Sequence, residues 1–238
     1  VANPVTAGDT GDPDGVLSTP HVPAAVMCVT EMDDMEDRRR SSGNRALLRR
    51  PVRASLNDGV IELRPLAVVD AAEHLAGRDE QLTRWLNVGP ESPRGAVEWL
   101  RCREEYWRLG GPVFAFGIRK VRRDILLGTV EIRVGEAYLE QGQAAISYGL
   151  YPRARGGGVA VRACRLGCTF AVRVLTTDPW AVREVVAYID PFNAGSLRVA
   201  HRAGFLHIDS RVGAGAAWEV FVMDLPSRFS APADRRCA

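Results

Sequence analysis

The sequence predicts a mixed α/β domain, and three observations carry that prediction. Val113–Lys120 and Ile125–Val134 alternate like paired strands around the turn Arg122-Arg123-Asp124. Ala144–Leu150 is a further strand-like run that leads into Arg155-Gly156-Gly157-Gly158-Val159-Ala160, after which Val159–Leu175 takes helical spacing. Glu184–Ile189 repeats the plan, a short apolar strand followed by a segment with helix-start chemistry at Asn193.

The elements follow in order. The domain is expected to begin near Gly59, with Val60–Leu66 as its first strand. Asp70 reads as the N-cap of a short helix through Leu75. Ser92-Pro93 opens a longer helix, because a serine oxygen satisfies an orphan amide and proline has none to lose. Ala96, Trp99, Leu100 and Trp107 recur near helical spacing in it, and Gly110-Gly111 ends it. In Val159–Leu175 the small apolar residues Ala160, Ala163, Cys164, Gly167, Cys168 and Ala171 share one face, opposite Arg162, Arg165, Thr169 and Arg173. Cys164 and Cys168 therefore read as small core residues and not as a metal pair. Phe205–Arg211 and Trp218–Asp224 supply the last strands.

Composition narrows the function classes. The 238 residues are 46% hydrophobic and carry a net charge of +2, so there is no general attraction to nucleic acid or membrane. No apolar run approaches the ~20 residues of a membrane span. Thirty arginines stand against one lysine, Lys120, a bias that reads as genomic. Five cysteines without a regular framework point to a reducing, cytoplasmic setting. Residues 1–58 read as a disordered extension, acidic at Glu31–Asp37 and basic at Arg38–Arg53; 59–227 form the domain, and 228–238 a C-terminal tail. Nucleic-acid or ribosome contact through the basic arm is the minor reading of the extension, and an over-extended start before Met35 is another.

A strand, a glycine turn and a helix start make an anion site. The glycines let a ligand approach the backbone, and the first helical amides point outward unpaired. The dinucleotide fingerprint and the P-loop are both unmet here, and an ordinary tight turn remains the plain alternative.

A second motif makes the reading specific. Arg155, Gly158 and Ala160 match an Arg/Gln-x-x-Gly-x-Gly/Ala loop, and Asn193, Ser196, Gly204 and Phe205 match Asn-x-x-Ser with a closing Gly-Phe. Leu63-Arg64-Pro65-Leu66, Arg84-Trp85-Leu86, Trp99-Leu100 and Phe114-Ala115-Phe116 fall upstream in the same order. From Val60 to Leu225 the chain resembles the GNAT-superfamily N-acyltransferases, in the branch of the ribosomal-protein N-terminal acetyltransferases. The resemblance implies a mostly antiparallel, twisted sheet with helices on both faces and a splayed strand pair, here Ala144–Leu150 and Glu184–Ile189, that admits acyl-CoA.

It also implies roles. Acetyl-CoA or another acyl-CoA such as succinyl-CoA is the expected co-substrate, with no metal, and an amine of a protein or small molecule is the acceptor. A homodimer is common in the family. The pyrophosphate is expected on Gly156, Gly157, Gly158, Val159 and Ala160 with help from Arg155, and the pantetheine arm along Ile146–Leu150, lined by Tyr148 and Leu150. Asn193 caps its helix and contacts the same arm. Ser196 is the candidate acid for the departing sulfur, since the tyrosine many relatives use falls at Ala200. The carboxylate often found just before the Ile146-Ser147-Tyr148 segment is Ala145 here, which leaves Glu131 as the candidate base and Glu219 as a weaker one. These two alanines also motivate an alternative, a catalytically weak acyl-CoA-binding or regulatory module.

Overall fold

The computed structural model describes residues 55–86, 92–177, 179–213 and 216–225. The expected arm before Ser55 and the expected tail 228–238 lie outside them. The chain enters the sheet through β1 (Leu56–Asn57) and β2 (Ile61–Pro65), which pair antiparallel, Leu56 opposite Leu63. The sheet thus starts upstream of Gly59. A two-residue strand has no periodicity to read, and only its partner reveals it.

Helices α1 (Ala71–Gly77), α2 (Glu80–Leu86) and α3 (Pro93–Leu109) follow. Ser92 caps α3 as expected, its Oγ accepting from the Gly95 amide at 3.1 Å, and Gly110 ends it with φ 78°. Asp70 precedes α1 but makes no side-chain cap bond to it. Its carboxylate instead accepts from the Ala67 amide at 3.0 Å and from the Arg119 guanidinium.

Strands β3 (Val113–Lys120), β4 (Leu126–Val134) and β5 (Gln143–Leu150) form an antiparallel meander. Helix α4 (Val159–Phe170) continues as a π-helical turn over Ala171–Leu175. Then come β6 (Glu184–Ile189), α5 (Ala194–Ala203), β7 (Leu206–Gly213) and β8 (Ala216–Asp224). Among the described residues one sheet runs β1-β2-β3-β4-β5-β6-β8-β7, and in it only β5–β6 is parallel.

The two faces divide by strand alternation. Phe114, Phe116, Val130, Ile132, Ala144 and Ile146 join Cys164, Cys168 and Phe170 of α4 in the main core. Both cysteines are buried, and burial raises both thiol pKa values, so they are inert packing groups. On the other face Ala115, Leu126 and Tyr151 pack with Ala96 and Leu100 of α3.

Candidate functional site

The turn after β5 is the best-formed ligand surface. Gly156 and Gly158 have φ 84° and 74°, conformations that side chains resist, and Gly158 is the N-cap of α4. A Cβ added at Gly156, Gly157 or Gly158 would meet nothing within 4 Å, so the backbone faces open space. The first amide bonded back into the turn is that of Arg162, to the Gly158 carbonyl at 3.2 Å. Among the described residues the amides from Gly156 to Val161 have no backbone acceptor. Val159 and Ala160, half-buried and buried, form the first turn behind them. This is a polarised row of free donors, which fits a phosphate-bearing ligand without a metal.

The strand before the turn opens as expected. β5 and β6 pair only at Gln143–Glu184, Ala144–Val185 and Ala145–Val186. From Ile146 to Leu150 the β6-facing edge of β5 has no ladder partner, and the two strands diverge. Tyr148 spans this divergence, its hydroxyl donating to the Ser196 carbonyl at 3.1 Å. Burial raises its pKa, so it stays protonated. Asn193 caps α5 by accepting from the Ser196 amide at 3.0 Å. Tyr148, Asn193 and Ser196 are thus brought together at the mouth of the opening, although 45 residues of sequence separate Tyr148 from Asn193.

Two expected roles do not fit what surrounds the residues. The Arg155 guanidinium is turned away from the free amides. It makes a fork with Asp79, 2.7 Å on each arm, and donates to Gln81 at 2.8 Å and to the Leu150 carbonyl at 3.0 Å. Its charge is already neutralised before any anion arrives.

Glu131 lies opposite Ser147 on the α3 side of the sheet, 7% exposed. Arg103 reaches it at 3.3 Å and Arg133 at 2.8 Å. Burial by itself raises its pKa, but the two guanidinium groups outweigh that and bring it down to about 2. A carboxylate that acidic is a poor acceptor for an ammonium proton. Glu219 serves no better. It sits on the α5 side beside His207 at 2.5 Å and Ser210 at 2.7 Å, and the Ser210 hydrogen bond leads the causes that lower its pKa.

Sequence reasoning missed the surroundings of Glu131. Trp99 stacks on His74 with ring centres 5.0 Å apart and carries the Arg103 guanidinium 4.4 Å from its ring. His74 Nδ1 lies 2.7 Å from the Tyr151 hydroxyl, and burial lowers the His74 pKa to about 4. These partners come from α1, α3, β4 and the segment after β5, and no local pattern in the chain announces them.

The fold defines a class, an acetyltransferase-type sheet with one opened parallel pair beside a free-amide turn. The sequence matches the family described as Acetyltransferase (GNAT) domain over residues 61–206, more than half its length, and the chain belongs to that family. Solved structures agree in fold. RimJ from Mycobacterium smegmatis, in complex with CoA-disulfide, is 18% identical with a TM-score of 0.61 over 76% of this chain and 92% of its own. The ribosomal-protein-S5-alanine acetyltransferase from Vibrio fischeri is 17% identical with a TM-score of 0.59 over 72% and 96%. The aminoglycoside acetyltransferase AAC(6')-Ib, solved with coenzyme A, is 15% identical with a TM-score of 0.57 over 70% and 96%. A comparison with curated protein sequences returned no match.

Proposed function

We propose that this chain transfers an acyl group, acetyl in the first instance, from acyl-CoA to a primary amine by direct attack. The observation that carries the reading is the free-amide turn Gly156–Val161 following at once on the open edge Ile146–Leu150. A pyrophosphate suits the first, and an amide-bearing arm suits the second. Backbone N–H groups of that edge would also meet the oxyanion as charge develops on the thioester oxygen. The amine nitrogen bonds to the carbonyl carbon, the C–S bond breaks, and the thiolate takes a proton from Ser196; Ser196 recovers one from the positively charged nitrogen, directly or through water, as the neutral amide forms. Tyr148 ties α5 to β5 and so holds Ser196 at the mouth.

Both candidate carboxylates are already engaged, Glu131 by Arg103 and Arg133 and Glu219 by His207 and Ser210, so the amine is assigned to arrive neutral. That has a consequence for the acceptor. At pH 7.5 an α-amine of pKa ~8 is about one quarter neutral, whereas a lysine amine of pKa ~10.4 is about 0.1% neutral. The site therefore favours a protein or peptide N-terminus, or a small amine of similar pKa, over lysine. Solved relatives named for ribosomal-protein acetylation support the same class.

The test begins with thermal shifts against acetyl-CoA, succinyl-CoA, CoA and NAD, since a ligand at one hundred times its Kd stabilises by ~2.7 kcal/mol. CoA species should shift the melt and NAD should not. Paired peptides offering only an α-amine or only a lysine amine then give pH–rate profiles. The α-amine should react faster at pH 7.5, with kcat/KM rising towards the acceptor's own pKa and no break near 6–7. No shift with any CoA species sinks the proposal. CoA binding with no amine acylated would favour the binding-module reading that Ala145 and Ala200 motivate.

A further inference from the structure

Arg155 reaches back 76 residues to Asp79, at the start of α2, and this contact is built on both sides. Asp79 Oδ1 accepts from the Leu82 amide at 2.9 Å, so the same carboxylate caps α2 and receives the guanidinium fork. Gln81 adds a second α2 acceptor at 2.8 Å. On the other side Nε holds the Leu150 carbonyl at the end of β5, 3.0 Å away. The helix so held has seven residues, none of them buried. A helix that short has little stability of its own. It sits close above β5, where a Cβ on Gly149 would lie 2.5 Å from Leu82 Cδ1 and 2.6 Å from Leu86 Cδ1, and Leu82 also packs against the cluster that holds Leu100 and Tyr151. α2 therefore roofs the α3-side face of the strand whose far edge is open.

We propose that Arg155 is a positioning residue for α2 and not a ligand of the anion: it latches the roof over β5 to the end of the cofactor strand. The inference rests on reading the β5 edge as the acyl-CoA site. To reach the free amides, Arg155 would have to abandon Asp79 and leave that carboxylate uncompensated beside an incoming anion. A neutral fork adds little attraction for a phosphate, and the turn supplies its donors from the backbone alone. The latch instead keeps water off the thioester. When it is lost, α2 opens, and a water oxygen attacks the carbonyl carbon; the C–S bond breaks, releasing acetate and the CoA thiol.

The test uses the full chain with Arg155→Gln, Arg155→Lys, Asp79→Asn and the double variant Asp79→Asn/Arg155→Gln. Three quantities are read: CoA affinity by calorimetry, amide exchange over α2, and thiol release from acetyl-CoA without amine. Each single variant should speed α2 exchange about tenfold. Thiol release should rise about fivefold while the Kd for CoA stays within about twofold. The double variant should match the singles, because all remove one contact. Arg155→Lys, which keeps the charge and loses the fork, should resemble Arg155→Gln. The proposal is overturned if Arg155→Gln weakens CoA about tenfold while Arg155→Lys and Asp79→Asn do not, the pattern of a phosphate ligand. Unchanged α2 exchange in every variant also overturns it. A wild-type chain that binds no CoA would sink the proposed function, yet the exchange data would still judge the latch.

Discussion

The two sides of the β5–β6 opening are made of different material. On the turn side the groups that face open space are the backbone amides between Gly156 and Val161, which among the described residues have no backbone acceptor. On the α1–α3 side, charged and ionisable side chains are buried in contact: Asp70 with Arg119, and Arg103 with Glu131, which the half-buried Arg133 also reaches, beside His74. A site of free amides is cheap to fold, since those donors are orphans at any helix start. A buried charge network is stable only while every member is present. The turn side should thus tolerate substitution at Gly157, the one glycine of the three without a positive φ, with loss of binding alone, and the α3 side should respond first in stability.

The largest expected effect tests that contrast directly. Glu131→Gln leaves the buried Arg103 guanidinium without its carboxylate, and the half-buried Arg133 with only Glu136 at 3.6 Å, and should destabilise by about 3 kcal/mol in denaturant melts. A loss under about 1 kcal/mol would mean the network relaxes into water and the contrast is false. The network also has a pH signature. Glu131, with its pKa lowered to about 2, contributes stability above pH 4.5 that fades as the pH falls towards 2.

His74 acts in a higher window. Burial holds it neutral down to about pH 4, while the unfolded chain takes up the proton near 6.5. Stability should fall by about 3 kcal/mol as the pH drops from 6.5 to 4, and His74→Phe should flatten that part of the profile. Thermal melts of both proteins across pH 4–7 check it. Parallel profiles would show that His74 is not the group responsible.

On the turn side, Gly157→Val sharpens the comparison. Gly157 lacks a positive φ and its Cβ position is open, so stability should change by less than about 0.5 kcal/mol. The same side chain would stand where a ligand approaches the amides, and CoA affinity should drop about tenfold, 1.4 kcal/mol. Unchanged affinity would remove the turn from the site. Ser196→Ala probes the mouth. It should lower kcat about tenfold with CoA affinity unchanged. If kcat holds, Ser196 serves only through its backbone, as cap partner of Asn193 and acceptor for Tyr148.

Legibility in the sequence followed the reach of each interaction. The Ser92 cap, the Gly110 stop, the glycine turn and the Asn193 cap are local, each written within three or four residues, and each lies where it was expected. The strands β3 to β5 were legible because alternation signals burial on a face. The strand pair that opens came from the family resemblance, and the structure bears it out at the register of three pairs. The surroundings of Asp70, Arg155 and Glu131 were not legible for one reason: each has a partner that lies 49, 76 or 28 residues away.

The sequence by itself determined the order of the longer strands and helices, the glycine turn and the helix cap at Asn193. These depend on backbone conformation and short-range hydrogen bonds, which residue type largely dictates. Tertiary structure alone decided which charges are free. A guanidinium or carboxylate is a binding group or a strut according to what folds against it, and long side chains find partners across elements that the chain order does not relate. Arg155 became a strut and Glu131 a buried counter-ion by that route, while the backbone amides of Gly156 to Val161 found no backbone acceptor among the described residues.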